Sequence, residues 1–104
     1  MTDSDRLLAA HLDDELVDLA ASVAAAERGI DDPVGLAALR FGTRVRYRRT
    51  ALGLSQTEVA ERTGRTVSQF TLSRIEAGRQ FPRIDALYAI ADALDVPPTE
   101  LLDP

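Results

Sequence analysis

The sequence predicts an all-α protein in which a five-helix domain is preceded by an amphipathic N-terminal helix. Apolar residues recur at spacings of three and four along most of the chain, and no stretch of useful length alternates apolar and polar residues. Capping residues, glycines and prolines interrupt that pattern at intervals typical of short helices. With 104 residues, of which 45% are hydrophobic, the chain suffices for one modest core and not for two. We therefore expect one domain, residues 33–104, with an appended arm, residues 1–32.

The arm is predicted to be one amphipathic helix over residues 5–28, followed by a short turn. Its apolar residues lie at spacings of three and four: Leu8, Leu12, Leu16, Leu19 and Val23. Ser4 is the expected N-terminal cap, and Gly29 is expected to end the helix. Such a stripe would form a large apolar patch in water, so it must pack on another surface. That surface is a second copy of the helix, the chain's own domain or another protein, and the heptad-like spacing favours self-association.

The domain begins with a predicted helix over residues 33–52. Asp32 is the expected N-cap, Pro33 occupies the first helical position, and Gly53 ends the helix. Ser55 is followed three residues later by Glu58, and this capping box starts a short helix that reaches about residue 62.

Three further helices are predicted after the short one. A helix that follows "TGRT" runs to residue 77, with Gly78 as its left-handed C-terminal residue. The next helix is amphipathic, and its apolar residues are Ile84, Leu87, Ile90, Ala91 and Leu94. The stretch "PPTELL" predicts a last short helix.

The net charge of −5 is distributed unevenly along the chain. Residues 1–37 hold two arginines and nine acidic residues, a charge of −7, whereas residues 38–104 hold ten arginines and eight acidic residues, a charge of +2. All twelve basic residues are arginine, and five of them fall in one decade: Arg40, Arg44, Arg46, Arg48 and Arg49. Such asymmetry indicates a nucleic-acid surface joined to an acidic arm, and the plain alternative is a solvated helix face.

A catalytic function is not expected from this sequence. The one histidine, His11, lies on the arm, and no nucleophile, base and orienting group can be assembled around it. No glycine-rich phosphate loop or metal-ligand spacing is present, and the lack of cysteine excludes disulfides and thiolate metal sites. We expect neither a cofactor nor a metal. No apolar run approaches the roughly 18 residues of a membrane span, and the acidic N-terminus is unlike a signal peptide, so a cytoplasmic location is expected.

Two short helices joined by a tight turn that contains glycine are typical of a helix-turn-helix. Here Gln56, Ala60 and Gly64 are spaced by four, and "LSRIE" at residues 72–76 is followed by "AGRQFPRIDALYAIADALDVPPTELL". Over residues 38–103 the chain resembles the lambda-repressor-like, or XRE-type, helix-turn-helix family. The resemblance implies a compact five-helix domain whose third helix enters the major groove of DNA while the second lies across the groove near the backbone. It also implies sequence-specific regulation of transcription.

The residues of the predicted recognition helix have chemistry that suits base reading. On a helix that begins near Ser68, the residues on or beside the outward face are Gln69, Phe70, Ser73 and Arg74. Arginine pairs bidentately with guanine, glutamine pairs with adenine, and phenylalanine meets a thymine methyl. Arg74 is the leading candidate for base reading, whereas Phe70 is either a base contact or a core residue.

The resemblance also implies residues that position the helices on DNA. Gln56 matches a glutamine that contacts phosphate at the start of the second helix of the domain. Arg79 and Arg83 match basic residues that hold the sugar-phosphate backbone. Arg49 and Glu76 match an ion pair between the first and third helices, which we interpret as structural.

Three departures from the family pattern affect these expectations. From Gly64 to Leu72 the spacing is eight where six is usual, so the turn is two residues longer. Either the loop bulges and brings Arg65 near a phosphate, or Thr66 caps an earlier helix with Gln69 at its third position, which leaves open which of Thr66, Ser68 and Gln69 reaches a base. Arg48 stands where leucine is common, and it either snorkels or meets the acidic arm. Arg83 stands where a serine or threonine cap is common.

Two functions remain open at this point. The first is a transcriptional regulator, most simply a repressor, that binds a palindromic operator in double-stranded DNA as a homodimer. The alternative is an antitoxin-type protein that binds DNA through the same domain and a partner protein through the N-terminal helix. The DNA-binding domain alone does not separate them.

Overall fold

The computed structural model describes the backbone of residues 3–102 and the side chains of residues 15–102. These residues form five α-helices and a final 3₁₀ turn, and the described part of the chain contains no strand, so the predicted all-α fold is confirmed. In chain order the elements are α1 (Asp3–Arg28), α2 (Pro33–Ala51), α3 (Gln56–Arg62), α4 (Gln69–Glu76), α5 (Ile84–Ala93) and the 3₁₀ turn Pro98–Glu100. Within the described residues, none of the helices is both long enough and apolar enough to cross a membrane.

The caps at the starts of α2 and α3 are those that the sequence predicts. The Asp32 carboxylate accepts a hydrogen bond from the backbone N–H of Gly35 at 2.8 Å, with proline at the first helical position. At α3, Ser55 Oγ accepts from the N–H of Glu58 at 3.0 Å, and the Glu58 carboxylate accepts from the N–H of Ser55 at 3.0 Å. Because two orphan amides are satisfied reciprocally, a helix of only seven residues has a fixed start.

The main core joins α2 to the four elements that follow it. Its fully buried large side chains come from α2, α3, α4 and α5 and from residues next to α4, α5 and the 3₁₀ turn: Phe41, Val45, Val59, Val67, Leu72, Ile75, Ile90, Leu94 and Leu101. At one edge the rings of Phe41 and Phe81 lie with centroids 5.1 Å apart. This core holds α4 by its inner face and leaves its outer face to solvent.

The arm packs on α2 through a face other than the predicted apolar stripe. Val17, Ala21 and Ala25 are buried on α1, and the two alanines cluster with Leu39 of α2. Small side chains let the two helix backbones approach closely, which the hydrophobic spacing alone did not reveal. The predicted stripe remains at the surface, with exposed fractions as follows: Leu16 49%, Leu19 61% and Val23 49%. Leu8 and Leu12, the other two residues of that stripe, precede the part of α1 whose side chains are described.

Two arginines of α2 form ion pairs with residues of other elements. Asp18 of the arm, whose side chain is half exposed, lies 3.6 Å from the guanidinium of Arg44. Arg44 is buried, with 6% of its side chain exposed, so this acidic residue compensates a cation between α1 and α2. Arg48 neither snorkels nor meets the arm, because it pairs with Glu100 in the 3₁₀ turn.

Candidate nucleic-acid interface

The start of α4 is set by Ser68. Its hydroxyl oxygen accepts a hydrogen bond from the N–H of Thr71 at 3.0 Å, and the backbone of Ser68 is extended. The alternative in which Thr66 caps an earlier helix is therefore wrong. Ser68 is the N-cap because its hydroxyl reaches the backbone amide of the third helical residue. Thr66 remains in the turn as an exposed residue.

The longer turn before α4 bulges outward. Gly64 and Arg65 both have positive φ, at 65° and 67°, and this pair turns the chain within two residues. Beneath the bulge the buried hydroxyl of Thr63 donates to the carbonyl of Ala60 at 2.6 Å and accepts from the N–H of Val67 at 3.2 Å. The hydrogen bonds of Thr63 thus fix both ends of the longer turn, and Arg65 is exposed in the middle of it.

The outer face of α4 carries the predicted base-reading residues. Gln69, Phe70 and Arg74 are exposed, and Ser73 is half-buried beside them. Phe70 is 69% exposed, so of its two predicted placements the structure shows the surface one and not the core. An aromatic side chain exposed to water on α4 is available to a partner.

A chain of hydrogen bonds runs from the inner end of α4 to its outer face. Glu76 receives both Nε and Nη2 of Arg49, at 2.7 and 2.8 Å, and Arg49 also donates from Nη1 to the carbonyl of Leu54 at 2.9 Å. Gln56 donates to Glu76 Oε1 at 3.2 Å, and Gln69 donates to Gln56 Oε1 at 2.8 Å. This network, which we call the polar relay, links α2, the start of α3 and both ends of α4.

The ion pair at the base of the polar relay is largely removed from water. Arg49 and Glu76 have 13% and 4% of their side chains exposed. The hydrogen bonds that Arg49 donates to Glu76 raise the pKa of Arg49 above its ordinary value, against an opposing effect of burial. The arginine therefore stays charged, and the predicted pair between the first and third helices of the domain is present.

Close backbone packing keeps α4 at its angle to α2. A side chain at Gly42 would place a Cβ 2.1 Å from the carbonyl oxygen of Ile75, so only glycine permits this crossing. At the end of α4, Gly78 has a φ of 71°, and a Cβ there would meet Leu39 Cδ2 at 2.5 Å. Glycine is required at both positions because α2 approaches the C-terminal half of α4 so closely.

Arginines flank the exposed face of α4 at both ends. Arg65 precedes it in the turn, and Arg79 and Arg83 follow it in the loop to α5, all three exposed. Arg83 occupies the N-cap position of α5 without a side-chain capping bond, and its Nε is 3.9 Å from an exposed Asp85 carboxylate. A weak exposed pair of this kind leaves the guanidinium accessible to a phosphate.

A family model for helix-turn-helix proteins (HTH_3) matches residues 45–101. The chain belongs to this helix-turn-helix family. An uncharacterized HTH-type transcriptional regulator, y4dJ, of Sinorhizobium fredii is 45% identical over 56 residues, which are 54% of this chain and 70% of that protein. The crystal structure of the restriction-modification controller protein C.AhdI from Aeromonas hydrophila is 34% identical and superposes with a TM-score of 0.59, covering 62% of this chain and 96% of that one.

Membership of the helix-turn-helix family identifies the chain as a DNA-binding regulator. The match includes α3, α4, α5 and the C-terminal part of α2, and therefore the polar relay and the arginines around α4. It leaves out α1 and the first part of α2. The arm is consequently an addition to the segment that the family model describes.

Two residues near α4 were missed by sequence reasoning. Gln80 accepts a hydrogen bond from Arg74 Nε at 3.0 Å, although it stands six residues further along in a loop. Arg28, at the end of α1, donates from Nη1 to the carbonyl oxygen of Ala77 at 2.5 Å. No periodicity or motif in the sequence predicts either contact, because each depends on the path that the chain takes after a helix ends.

Proposed function

We propose that this protein is a transcriptional repressor that binds a palindromic operator as a dimer, with α4 in the major groove. The observation that carries the proposal is the exposure of Gln69, Phe70 and Arg74 on a helix whose opposite face is buried. A helix presented in this way on a small helical domain is the usual reader of base edges.

The hydrogen bonds of Gln69 and Arg74 leave their base-reading groups available. Gln69 uses one amide hydrogen on Gln56, and it retains a second hydrogen and its carbonyl oxygen, the pair that adenine requires. Arg74 uses Nε on Gln80 and retains its terminal nitrogens for the two acceptors of guanine. Ser68, Ser73 and Thr66 add contacts to DNA through their shorter side chains in this proposal.

Phosphate contacts are proposed on both sides of the recognition helix. Arg65 in the turn meets one strand, and Arg79 and Arg83 in the following loop meet the other. Gln56 keeps one amide hydrogen beyond its bond to Glu76, which suits the phosphate contact expected for it. Arg46 is exposed at the rim of a shallow depression that Gln56 also lines, so it adds positive charge beside the same phosphate.

The exposed stripe of α1 is the proposed dimer surface. Leu16, Leu19 and Val23 lie at heptad spacing, and a second copy of α1 would remove them from water. In a parallel pair the flanking positions set Glu15 opposite Ala20 of the second copy and Ser22 opposite Glu27, so carboxylates do not face each other. An acidic helix can therefore pair with itself without like charges in contact.

A second surface on α5 is the competing candidate for the dimer. Ile84 and Tyr88 are one turn apart and are 70% and 60% exposed. They follow directly on Arg83, so a dimer formed there would bring the two recognition helices close together on the DNA. The two surfaces are far enough apart in sequence to be tested by single substitutions.

Sedimentation of two variants at the same protein concentration shows which of the two candidate surfaces forms the dimer. We expect Leu19→Glu to sediment as a monomer and to lose cooperative DNA binding, while Tyr88→Glu remains a dimer. The reverse pattern assigns the dimer to α5. If both variants and the unaltered protein are monomers that protect a single half-site, the dimeric repressor is the wrong proposal.

The antitoxin-type function draws on the same exposed stripe. If the protein binds DNA but sediments as a monomer, the stripe is left for a helix of a foreign protein. A stable complex with the product of an adjacent gene, lost in Leu19→Glu but retained in Tyr88→Glu, would support that function over the dimeric repressor.

A test of DNA reading compares the unaltered protein with a variant that combines Gln69→Ala and Arg74→Ala. Titration into genomic fragments should show tight binding to a few fragments by the unaltered protein. The variant should retain only weak binding that is equal for all fragments. Equal binding of all fragments by both proteins would show that α4 does not read sequence.

A further inference from the structure

The arm reaches the C-terminal end of the recognition helix through Arg28. Ala77 is the C-cap of α4, and the carbonyls of a last helical turn have no donor within their own helix. Arg28 supplies that donor from α1, across a sequence separation of 49 residues. Its positive charge also lies at the negative end of the α4 dipole, which stabilises the same end of the helix.

A second route connects the arm to the same place. On one side Leu39 of α2 clusters with Ala21 and Ala25 of the arm. On the other side Leu39 lies directly beneath Gly78, the first residue after the α4 cap. The arm, the first part of α2 and the end of α4 are thus in continuous contact, and the arm lies outside the part of the chain that the family model matches.

The contact between Arg28 and Ala77 lies between two residues with proposed roles on DNA. Arg74 is three residues before Ala77, and Arg79 is two residues after it. A shift at this end would move both side chains. Gln69, at the opposite end of α4, is held separately through the polar relay.

We propose that Arg28 is a positioning residue for DNA recognition, which holds the C-terminal end of α4 so that Arg74 and Arg79 meet DNA in register. The inference rests on the proposed function of α4. It assigns the acidic arm a role in DNA binding in addition to self-association, although the arm's own side chains do not read bases.

The test uses the full chain and three variants: Arg28→Ala, Arg28→Lys and Arg48→Ala. Arg48→Ala is the matched control, since it breaks an exposed ion pair on α2 with a residue of the 3₁₀ turn. Affinity is measured for the operator, for a library of its single-base variants and for unrelated DNA, each at several salt concentrations. Thermal unfolding of each variant is measured alongside.

We expect Arg28→Ala to lose roughly 3- to 10-fold in operator affinity and to relax the base preference that Arg74→Ala also relaxes. The base preference that depends on Gln69 should remain, and the salt slope should fall by no more than the one phosphate contact of Arg79. Arg28→Lys should recover part of the loss, because an ammonium group still donates to the carbonyl. Arg48→Ala should bind as the unaltered protein does.

Three results would overturn the role of Arg28. Unchanged binding by Arg28→Ala is the first. A uniform loss on all DNA, with a salt slope smaller by about 0.9, would make Arg28 a direct phosphate contact. Equal relaxation at every base pair, with a lowered melting temperature, would make it a general stabiliser. If the unaltered protein itself shows no sequence preference, the proposed function fails as well.

Discussion

At the scale of single residues, the proposed DNA-binding side chains of α4 are oriented by hydrogen bonds from other side chains. Gln56 and Glu76 fix Gln69, and Gln80 fixes Arg74. The outward face of α4 was predictable, because spacing on a helix determines which residues share a face, and the ion pair of Arg49 with Glu76 was implied by the resemblance to the family. The bonds to Gln80 and Arg28 were not, because they depend on backbone paths after helix ends.

Arg74 and Arg83 should differ in how their loss affects DNA binding. Arg74→Ala should cost about 1 to 3 kcal/mol of specific binding and relax the preference at one base pair, since a bidentate base contact is lost. Arg83→Ala should weaken binding to all sequences alike, because a phosphate is present in every sequence. Affinities across a library of operator variants measure both, and identical profiles would mean that the two roles are misassigned.

Gln80→Ala should act as a weaker form of Arg74→Ala. The guanidinium of Arg74 loses its Nε partner and samples more orientations, so preference should relax at the same base pair and at no other. The operator-variant library measures this effect, and Gln80→Glu, which keeps an acceptor at that place, is the matched control. A profile for Gln80→Ala that is unlike the profile of Arg74→Ala would refute the positioning of Arg74 by Gln80.

Adjacent arginines of α2 should contribute very differently to stability. Arg49→Met leaves the carboxylate of Glu76 buried without its cation, and we expect a loss of about 3 kcal/mol. Arg48→Ala breaks a pair in which both side chains are about half exposed, and we expect a loss below about 1 kcal/mol. Urea unfolding measures both free energies, and similar losses would show that burial does not set the difference.

At the scale of elements, the helix ends agree with the prediction from sequence except at the start of α1, where Ser4, the expected cap, is the second residue of the helix. The contacts between helices were less predictable. Asp32, Ser55 and Ser68 cap the helices through bonds that are local in sequence. α1 packs on α2 through Ala21 and Ala25 and not through the predicted leucine stripe, because these alanines permit a closer approach to α2 than the leucines beside them. Which of two amphipathic faces is buried depends on the shape of the surface opposite, and the sequence of one helix does not contain that information.

The capping box of α3 should make stability sensitive to acid. The backbone N–H of Ser55 donates to Glu58 and lowers the pKa of this carboxyl below 4.5. Because the folded pKa is below the unfolded one, the stabilisation is present above about pH 4.5 and is lost as the pH falls through the lower, folded value.

Ser55→Ala should therefore have two effects on the free energy of unfolding. At neutral pH it should cost about 1 kcal/mol through the lost N-cap. Between neutral pH and about pH 3 the variant should lose slightly less stability than the unaltered protein does, because the part of the pKa lowering of Glu58 that comes from the Ser55 side chain is removed, while the larger part, from the backbone N–H, remains. Urea unfolding at the two pH values tests this, and parallel losses on acidification would contradict the contribution of Glu58.

At the scale of the whole molecule, charge is separated between the arm and the domain. The net charge of −5 combines an arm of −7 with a remainder of +2, and the arm packs on α2 with Asp18 near Arg44. An acidic protein can therefore present arginines around α4. The division at residues 32 and 33 remains a prediction, as does self-association through the arm.

DNA affinity should fall steeply with salt despite the negative net charge. Three arginines per subunit, Arg65, Arg79 and Arg83, are proposed to neutralise phosphates, which makes six contacts in a dimer. Six such contacts predict a loss on the order of a thousandfold between about 50 and 200 mM salt. Binding isotherms at several salt concentrations measure the slope, and a flat dependence would exclude these phosphate contacts.

The most direct test of the account is recovery of the genomic DNA fragments that the purified protein binds, followed by footprinting of the enriched site. The account predicts one enriched sequence made of two inverted half-sites about 10 bp apart, one for each α4 of a dimer. It also predicts that the protein carrying Gln69→Ala and Arg74→Ala enriches nothing. Recovery of fragments without a common sequence, or the same sequence from both proteins, would contradict the claim that α4 reads DNA.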